Sequence, residues 1–257
     1  PRDGPDGRPR YLMLETLRAY GAGRRAEAGE QDQAAAALAG YALRVAGQAA
    51  AGLQTRTGER EAARCLDAED ATMRQVLAWA RDHDADMALR LAAALGPWWY
   101  LRGRLPGQYP LIRETAERTA PGGDAWCTVQ LWLGLTAVWS DDPVGALGHF
   151  TAVRDAIADR EPPPALASCL AGRSLALARL RQVGEAADDG RRALALARET
   201  ADPAAEVLVL VLSAIVALEA GDSGGGLQLA RQARQVTSDI PGWIARASAN
   251  IVTDALI

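Results

Sequence analysis

The second half of the chain repeats itself at a fixed step of about 40 residues. Ala146, Ala186 and Gly226 share one position of the repeat; four residues on come Phe150, Gly190 and Ala230, and three further Val153, Ala193 and Ala233. Trp132 to Ala156, WLGLTAVWSDDPVGALGHFTAVRDA, shows what is repeated: two short helices around a tight turn. Asp141-Asp142-Pro143 makes the turn, an acidic N-cap followed by proline near the first helical position. A fixed period of this size marks a helical solenoid. One helix pair is too small to bury its own apolar face, so it stacks on the next.

Composition agrees. The chain has 257 residues, enough for one large domain or two small ones. Hydrophobic residues make up 49%, with alanine the commonest and a single Phe. Small apolar side chains suit closely packed helices, and the Val/Ile/Thr alternation of a β-sandwich is scarce. The formal net charge of −4 argues against a nucleic-acid surface in this piece. All 28 basic residues are Arg, so there is no phosphate loop ending in Gly-Lys and no Schiff-base lysine. With the excess of Ala and Gly, this is the usage expected of a GC-rich, actinobacterial-type genome.

Cys65, Cys127 and Cys169 have no metal or redox spacing and read as thiols in a reducing, cytoplasmic setting. The longest apolar run, Val207 to Leu218, is short of the roughly 20 residues that span a bilayer. The chain opens on Pro1 rather than Met and stops at Ile257 inside an apolar helical pattern. Both ends therefore read as cuts in a longer protein.

Along the chain, Pro1 to Pro9 should be flexible and Tyr11 to Met13 a short strand. Helices are expected at Glu15–Ala28, Gln31–Gly52, Glu59–Arg81, Ala85–Leu101 and Leu105–Thr119, with Pro110 kinking the last or delaying its start. Helix pairs follow at 126–139 and 144–159, 166–180 and 185–199, 204–220 and 223–236. Trp243 to Ile257 opens a fourth pair. This gives three regions: 1–30, a flexible start with one helix; 31–120, a helical linker with the first atypical pairs; and 121–257, the repeats.

Leu133, Gly134, Ala146 and Phe150 resemble a tetratricopeptide repeat. That family carries Leu-Gly in the first helix, then a small residue where the helices meet, then a large aromatic. The later repeats depart from it. Arg173-Ser174 and Ser213-Ala214 replace Leu-Gly, Gly190 and Ala230 replace the aromatic, and the period exceeds the usual repeat of about 34 residues. The resemblance implies an all-α right-handed superhelix of antiparallel helix pairs, with a period of about 40 residues.

The first half is similar to a second family. Arg10 to Glu30, on Tyr11, Leu14, Glu15, Arg18 and Tyr20, resembles the end of the winged-helix module that follows the ATPase core in STAND-class signalling ATPases. Asp67 to Tyr109 resembles the segment leading into their solenoid; Glu69, Arg74, Leu77, Trp79, Leu89, Leu91, Leu95, Trp99, Arg102 and Gly103 carry it. The resemblance implies the sensor arm of a bacterial transcription regulator. Its ATPase and DNA-binding modules would lie elsewhere in the same polypeptide, and its effector would be a small molecule or a protein. The rival is a stand-alone scaffold that holds protein segments in its groove.

Candidate binding residues fall in two groups. Trp98, Trp99 and Tyr100 form an aromatic knot, either core or the wall of a pocket with Arg102, Arg104 and Arg113 as polar anchors. Leu131, Trp132, Leu135 and Trp139 lie along the first repeat's leading helix, and Arg179 along the second's. By the alignment Leu131, Leu135, Trp139, Ala171, Leu175, Arg179, Val211, Ile215 and Glu219 face the concave side. Most are apolar, so a ligand, further repeats or another copy of the chain should cover them. His83 and His149 read as surface or turn residues. The acidic groups at 67–70, 82–86, 141–142 and 188–189 read as helix caps and solvated faces, not metal ligands. No catalytic motif, cofactor or metal is expected.

Overall fold

The computed structural model describes residues 2–3, 9–10, 13–157, 165–200 and 202–236. Among them are eleven helices: α1 (Glu15–Ala28), α2 (Gln31–Leu53), α3 (Glu59–His83), α4 (Ala85–Leu101), α5 (Leu105–Glu117), α6 (Asp124–Trp139), α7 (Pro143–Ala156), α8 (Leu166–Arg179), α9 (Val183–Glu199), α10 (Pro203–Glu219) and α11 (Ser223–Val236). A two-residue antiparallel ladder, β1 (Arg2–Asp3) on β2 (Pro9–Arg10), lies within the stretch read as flexible. Of the expected strand, Tyr11 and Leu12 lie outside the described residues and Met13 is not in a strand. The fourth helix pair and the run of α7 to Asp159 also lie outside them.

The architecture is helix on neighbouring helix. In the first part α2 packs on α3 and α4, and α4 on α5. Then α6 joins α4 and α5 to the second part, where α6 packs on α7, α7 and α6 on α8, α8 on α9, and α10 on α8, α9 and α11. One apolar core runs from Ala39 to Leu212. The stripe of α3 is buried as its periodicity predicts, at Leu66, Met73, Leu77 and Ala80. In contrast α1 touches the rest only lightly, and Met13, Leu14, Leu17 and Tyr20 are exposed.

Two prolines behave in ways the sequence does not announce. α5 starts at Leu105 and runs through Pro110, so neither proline delays it. Pro110 lacks the N–H that would reach the Pro106 carbonyl, but both residues are exposed and water can take that carbonyl. Pro97 stands inside α4 and is buried, a position the periodicity hides.

The turns explain how the pairs close. Asp141, Arg181 and Gly221 have φ of 58°, 64° and 85°, the left-handed region. At each, the next residue's N–H donates back to a carbonyl five residues earlier: Asp142 to Ala137, Gln182 to Leu177, Asp222 to Ala217, at 2.8 to 2.9 Å. The left-handed residues themselves donate to Val138, Ala178 and Leu218. This is the Schellman ending, which satisfies carbonyls that a helix end leaves unpaired. Gly103 ends α4 the same way. The following helices α7, α9 and α11 then begin at Pro143, Val183 and Ser223. Asp142 and Asp222 cap theirs by accepting from Gly145 and Gly225 N–H, each at 2.8 Å; Gln182 makes no side-chain cap.

Candidate functional site

Two of the three residues of the aromatic knot are buried. Trp98 is fully buried on the α3 side of α4, and its indole N–H donates to Asp67 Oδ1 at 3.0 Å. Trp99 is buried and Tyr100 half-buried. Tyr100 lies 6.1 Å from the Trp132 ring, and Trp132 presses its indole edge on Gly96, where a Cβ would overlap it. The Trp132 N–H is buried without a hydrogen-bond partner. The three arginines expected as pocket anchors are spoken for. Arg102 pairs with Asp67 through two hydrogen bonds and, as the main cause, holds that carboxyl below its usual pKa. Arg104 pairs with Asp70 at 3.2 Å and lies over Trp98, 5.0 Å from the ring. Arg113 pairs with Glu117 along the surface of α5.

The expected concave positions divide. Leu131, Leu135, Ala171, Leu175 and Val211 are buried, and Ile215 is half-buried. The reason is direct packing of α8 on α6 and α10, and of α4 on α6, which closes most of that face. The last position of each helix reaches solvent. Trp139 is 47% exposed. Arg179 donates through Nε and Nη2 to Glu219 at 2.9 to 3.3 Å, and through Nη1 to the Val138 carbonyl at 3.0 Å. These residues, with Asp141 and Pro143, line an open cleft of about 570 Å³. So Trp139 and Arg179, named from the repeat alignment, come together with Glu219. Leu131, Trp132 and Leu135 do not reach the cleft.

Two polar clusters lie outside those expectations. His149 is half-buried and held on both ring nitrogens: Tyr109 Oη lies 2.8 Å from its Nε2 and Gln130 Oε1 lies 2.7 Å from its Nδ1. Burial, with Arg113 adding to it, lowers the His149 pKa, which favours the neutral ring. The other is Arg173, whose side chain is 7% exposed. It pairs with Asp189, with Glu185 at 3.2 Å and with Thr151 Oγ at 3.1 Å, joining α8 to α9 and α7. Burial raises the Asp189 pKa, with Arg173 opposing it. Each cluster spans three helices, and no spacing along the chain marks it. His83, by contrast, is exposed and stacks on Trp79. Cys127 and Cys169 are buried and Cys65 is half-buried.

Among the described residues no group of His, Cys, Asp and Glu is placed to hold a metal ion, and no helix is long and apolar enough to cross a membrane. No family model matches the chain, and no curated protein matches it.

Proposed function

We propose that this chain is the regulatory sensor arm of a STAND-type transcription regulator. Its helix pairs form a right-handed tetratricopeptide-like superhelix with a period of about 40 residues. Residues 1–30 end a winged-helix module, residues 31–120 are the linker, and residues 121–257 are the repeats. An effector, small molecule or protein, binds the arm and shifts an ATPase elsewhere in the polypeptide between a resting and an assembling state, in the cytoplasm. Such an arm performs no catalysis of its own, makes no nucleic-acid contact, and self-associates when the switch is on.

The observation that carries the reading is the succession of turns. The leading helices of three pairs end on left-handed residues at 141, 181 and 221, after a helical linker in the order the resemblance requires. The open cleft at the ends of α6, α8 and α10 gives the arm a place to sense from. The rival scaffold reading has less support, because five of the nine groove positions are buried side chains.

The full-length protein tests it. Purified, it should bind ATP and its own promoter, and an effector should change its assembly state. Full-length protein that binds neither nucleotide nor promoter would defeat the proposal. A thermal-shift screen of metabolites and peptides on this chain finds the effector, since a ligand bound only by the folded form raises its stability.

A further inference from the structure

The cleft beside Trp139 has a definite electrostatic character. Three helices, α6, α8 and α10, end at its rim, because Arg179 at the end of α8 reaches both the Val138 carbonyl of α6 and the Glu219 carboxylate of α10. Helix C-termini carry partial negative charge; the N-terminus of α7 at Pro143 carries the opposite, which Asp142 offsets by accepting from the Gly145 N–H. Glu219 and Asp141 add two carboxylates, and Arg179 is the single cation among the described lining residues. Arg179 is already engaged by Glu219, and Asp142, next to the cleft, spends its carboxylate on the Gly145 N–H. Asp141 forms no ion pair among the described residues. Trp139, 47% exposed, stands beside this excess of negative charge.

An aromatic face next to carboxylates and helix C-termini is the arrangement that holds an organic cation. The site already accommodates one guanidinium, that of Arg179, on a carbonyl and a carboxylate. We propose that the cleft lined by Trp139, Asp141, Pro143, Arg179 and Glu219 is a subsite for a guanidinium or alkylammonium group, which stacks on Trp139 and pairs with Asp141. An anion is disfavoured, because Arg179, the one cation among the described lining residues, is neutralised by Glu219. The inference deepens the sensor reading and rests on it for its role in regulation; binding itself is tested on the chain alone.

Ligand-observed NMR on the 257-residue chain measures it, with n-butylguanidinium and tetramethylammonium as probes and butyrate as the anionic control. Both cations should bind saturably and butyrate should not. Trp139→Ala should weaken binding roughly two- to five-fold, the range of an exposed cation–π contact. Asp141→Asn should weaken it by a similar factor, roughly two- to five-fold, and remove part of the salt dependence. Asn tolerates the left-handed backbone at 141, so this variant keeps the fold even if the tryptophan variant does not. An end-blocked Gly-Arg-Gly peptide separates the sources: tighter binding than n-butylguanidinium assigns the cation to a protein segment, equal binding to a small molecule.

Absence of saturable binding by either cation overturns the inference. So does equal binding of butyrate, or an Asp141→Asn variant that binds as well as the parent. If the cations fail while some other compound stabilises the chain, the inference falls and the sensor reading stands.

Discussion

The first and second helix pairs solve one packing problem with opposite chemistry. In α6/α7, the Phe150 ring is 1% exposed and lies against Gly134 of its own pair and Gly172 of the next, where a Cβ at either glycine would overlap the ring. In α8/α9, Gly190 stands where Phe150 stood and Ser174 where Gly134 stood. No wedge remains there. Ser174 instead donates to the Ala186 carbonyl at 2.7 Å, and Arg173 pairs with Asp189. An apolar wedge locks one pair and a polar clamp the other. The geometry of the turn is kept in both, so the turn and not the filler defines the repeat.

The third pair, α10/α11, has neither device. Ser213 stands one repeat step after Arg173, and its hydroxyl is buried with no hydrogen-bond partner. Its closeness comes from Gly226, where a Cβ would meet the Leu218 side chain at 2.6 Å and the Ala214 carbonyl at 3.2 Å. The gradient runs from wedge to clamp to bare contact. A buried hydroxyl left unpaired costs stability, as the unpaired Trp132 N–H does in the first pair.

The largest effect should come from removing the wedge. Phe150→Ala leaves a void shared by two helix pairs and should cost about 3–5 kcal/mol in urea unfolding. A loss below about 1 kcal/mol would mean that the ring fills no gap. The clamp comes next. Asp189→Ala strands a buried guanidinium, but Glu185 and Thr151 still hold it, so the loss should fall at or below the low end of about 3–5 kcal/mol. The two devices differ in how they respond to an apolar exchange. Arg173→Met with Asp189→Leu removes both charges together and should leave stability within about 1 kcal/mol of the parent, or raise it. If the double variant is as unstable as Asp189→Ala, the clamp is a net stabiliser and the contrast with the wedge disappears.

The same contrast explains what is legible in the sequence. The helices are, because α3 and α9 alternate apolar and charged residues at helical spacing, and Asp-Pro and Gly mark where helices begin and end. The small residues Ala146 and Ala186 repeat because close helix approach permits nothing larger, and that repeats along the chain. What fills the remaining space does not repeat. Arg173 and Asp189 look like surface charges until α7, α8 and α9 are folded around them. His149 looks like an exposed residue until Tyr109, far back on α5, meets it. For the site, Trp139, Arg179 and Glu219 fall in one row of the alignment and do line one cleft. Of the other six concave positions five are buried and Ile215 is half-buried, because a repeat alignment gives the direction of a side chain and not how near the next helix comes. Trp98 and Trp99 are ambiguous for a related reason: a run of aromatics looks the same in a pocket wall as in a core, and their burial appears only once α4 is packed on α3.

The smallest effect tests whether the turn is the common device of the repeat. At all three turns the left-handed residue and its two backbone hydrogen bonds are present, but only Asp142 and Asp222 cap the next helix. Gln182 has one more methylene than an effective cap, and it leaves the first-turn N–H groups of α9 without a side-chain partner. Gln182→Ser supplies a short acceptor with Glu185 three residues on, the spacing of a capping box. It should stabilise the chain by roughly 0.5–1 kcal/mol. Serine is the better choice than aspartate, because a carboxylate there would stand beside Glu185 and compete with it for Arg173. The reverse change, Asp142→Ala, should cost about 1 kcal/mol. Both are read as shifts of the urea midpoint at constant slope. If Gln182→Ser destabilises instead, Glu185 has been drawn away from Arg173, and the cap and the clamp compete for one carboxylate.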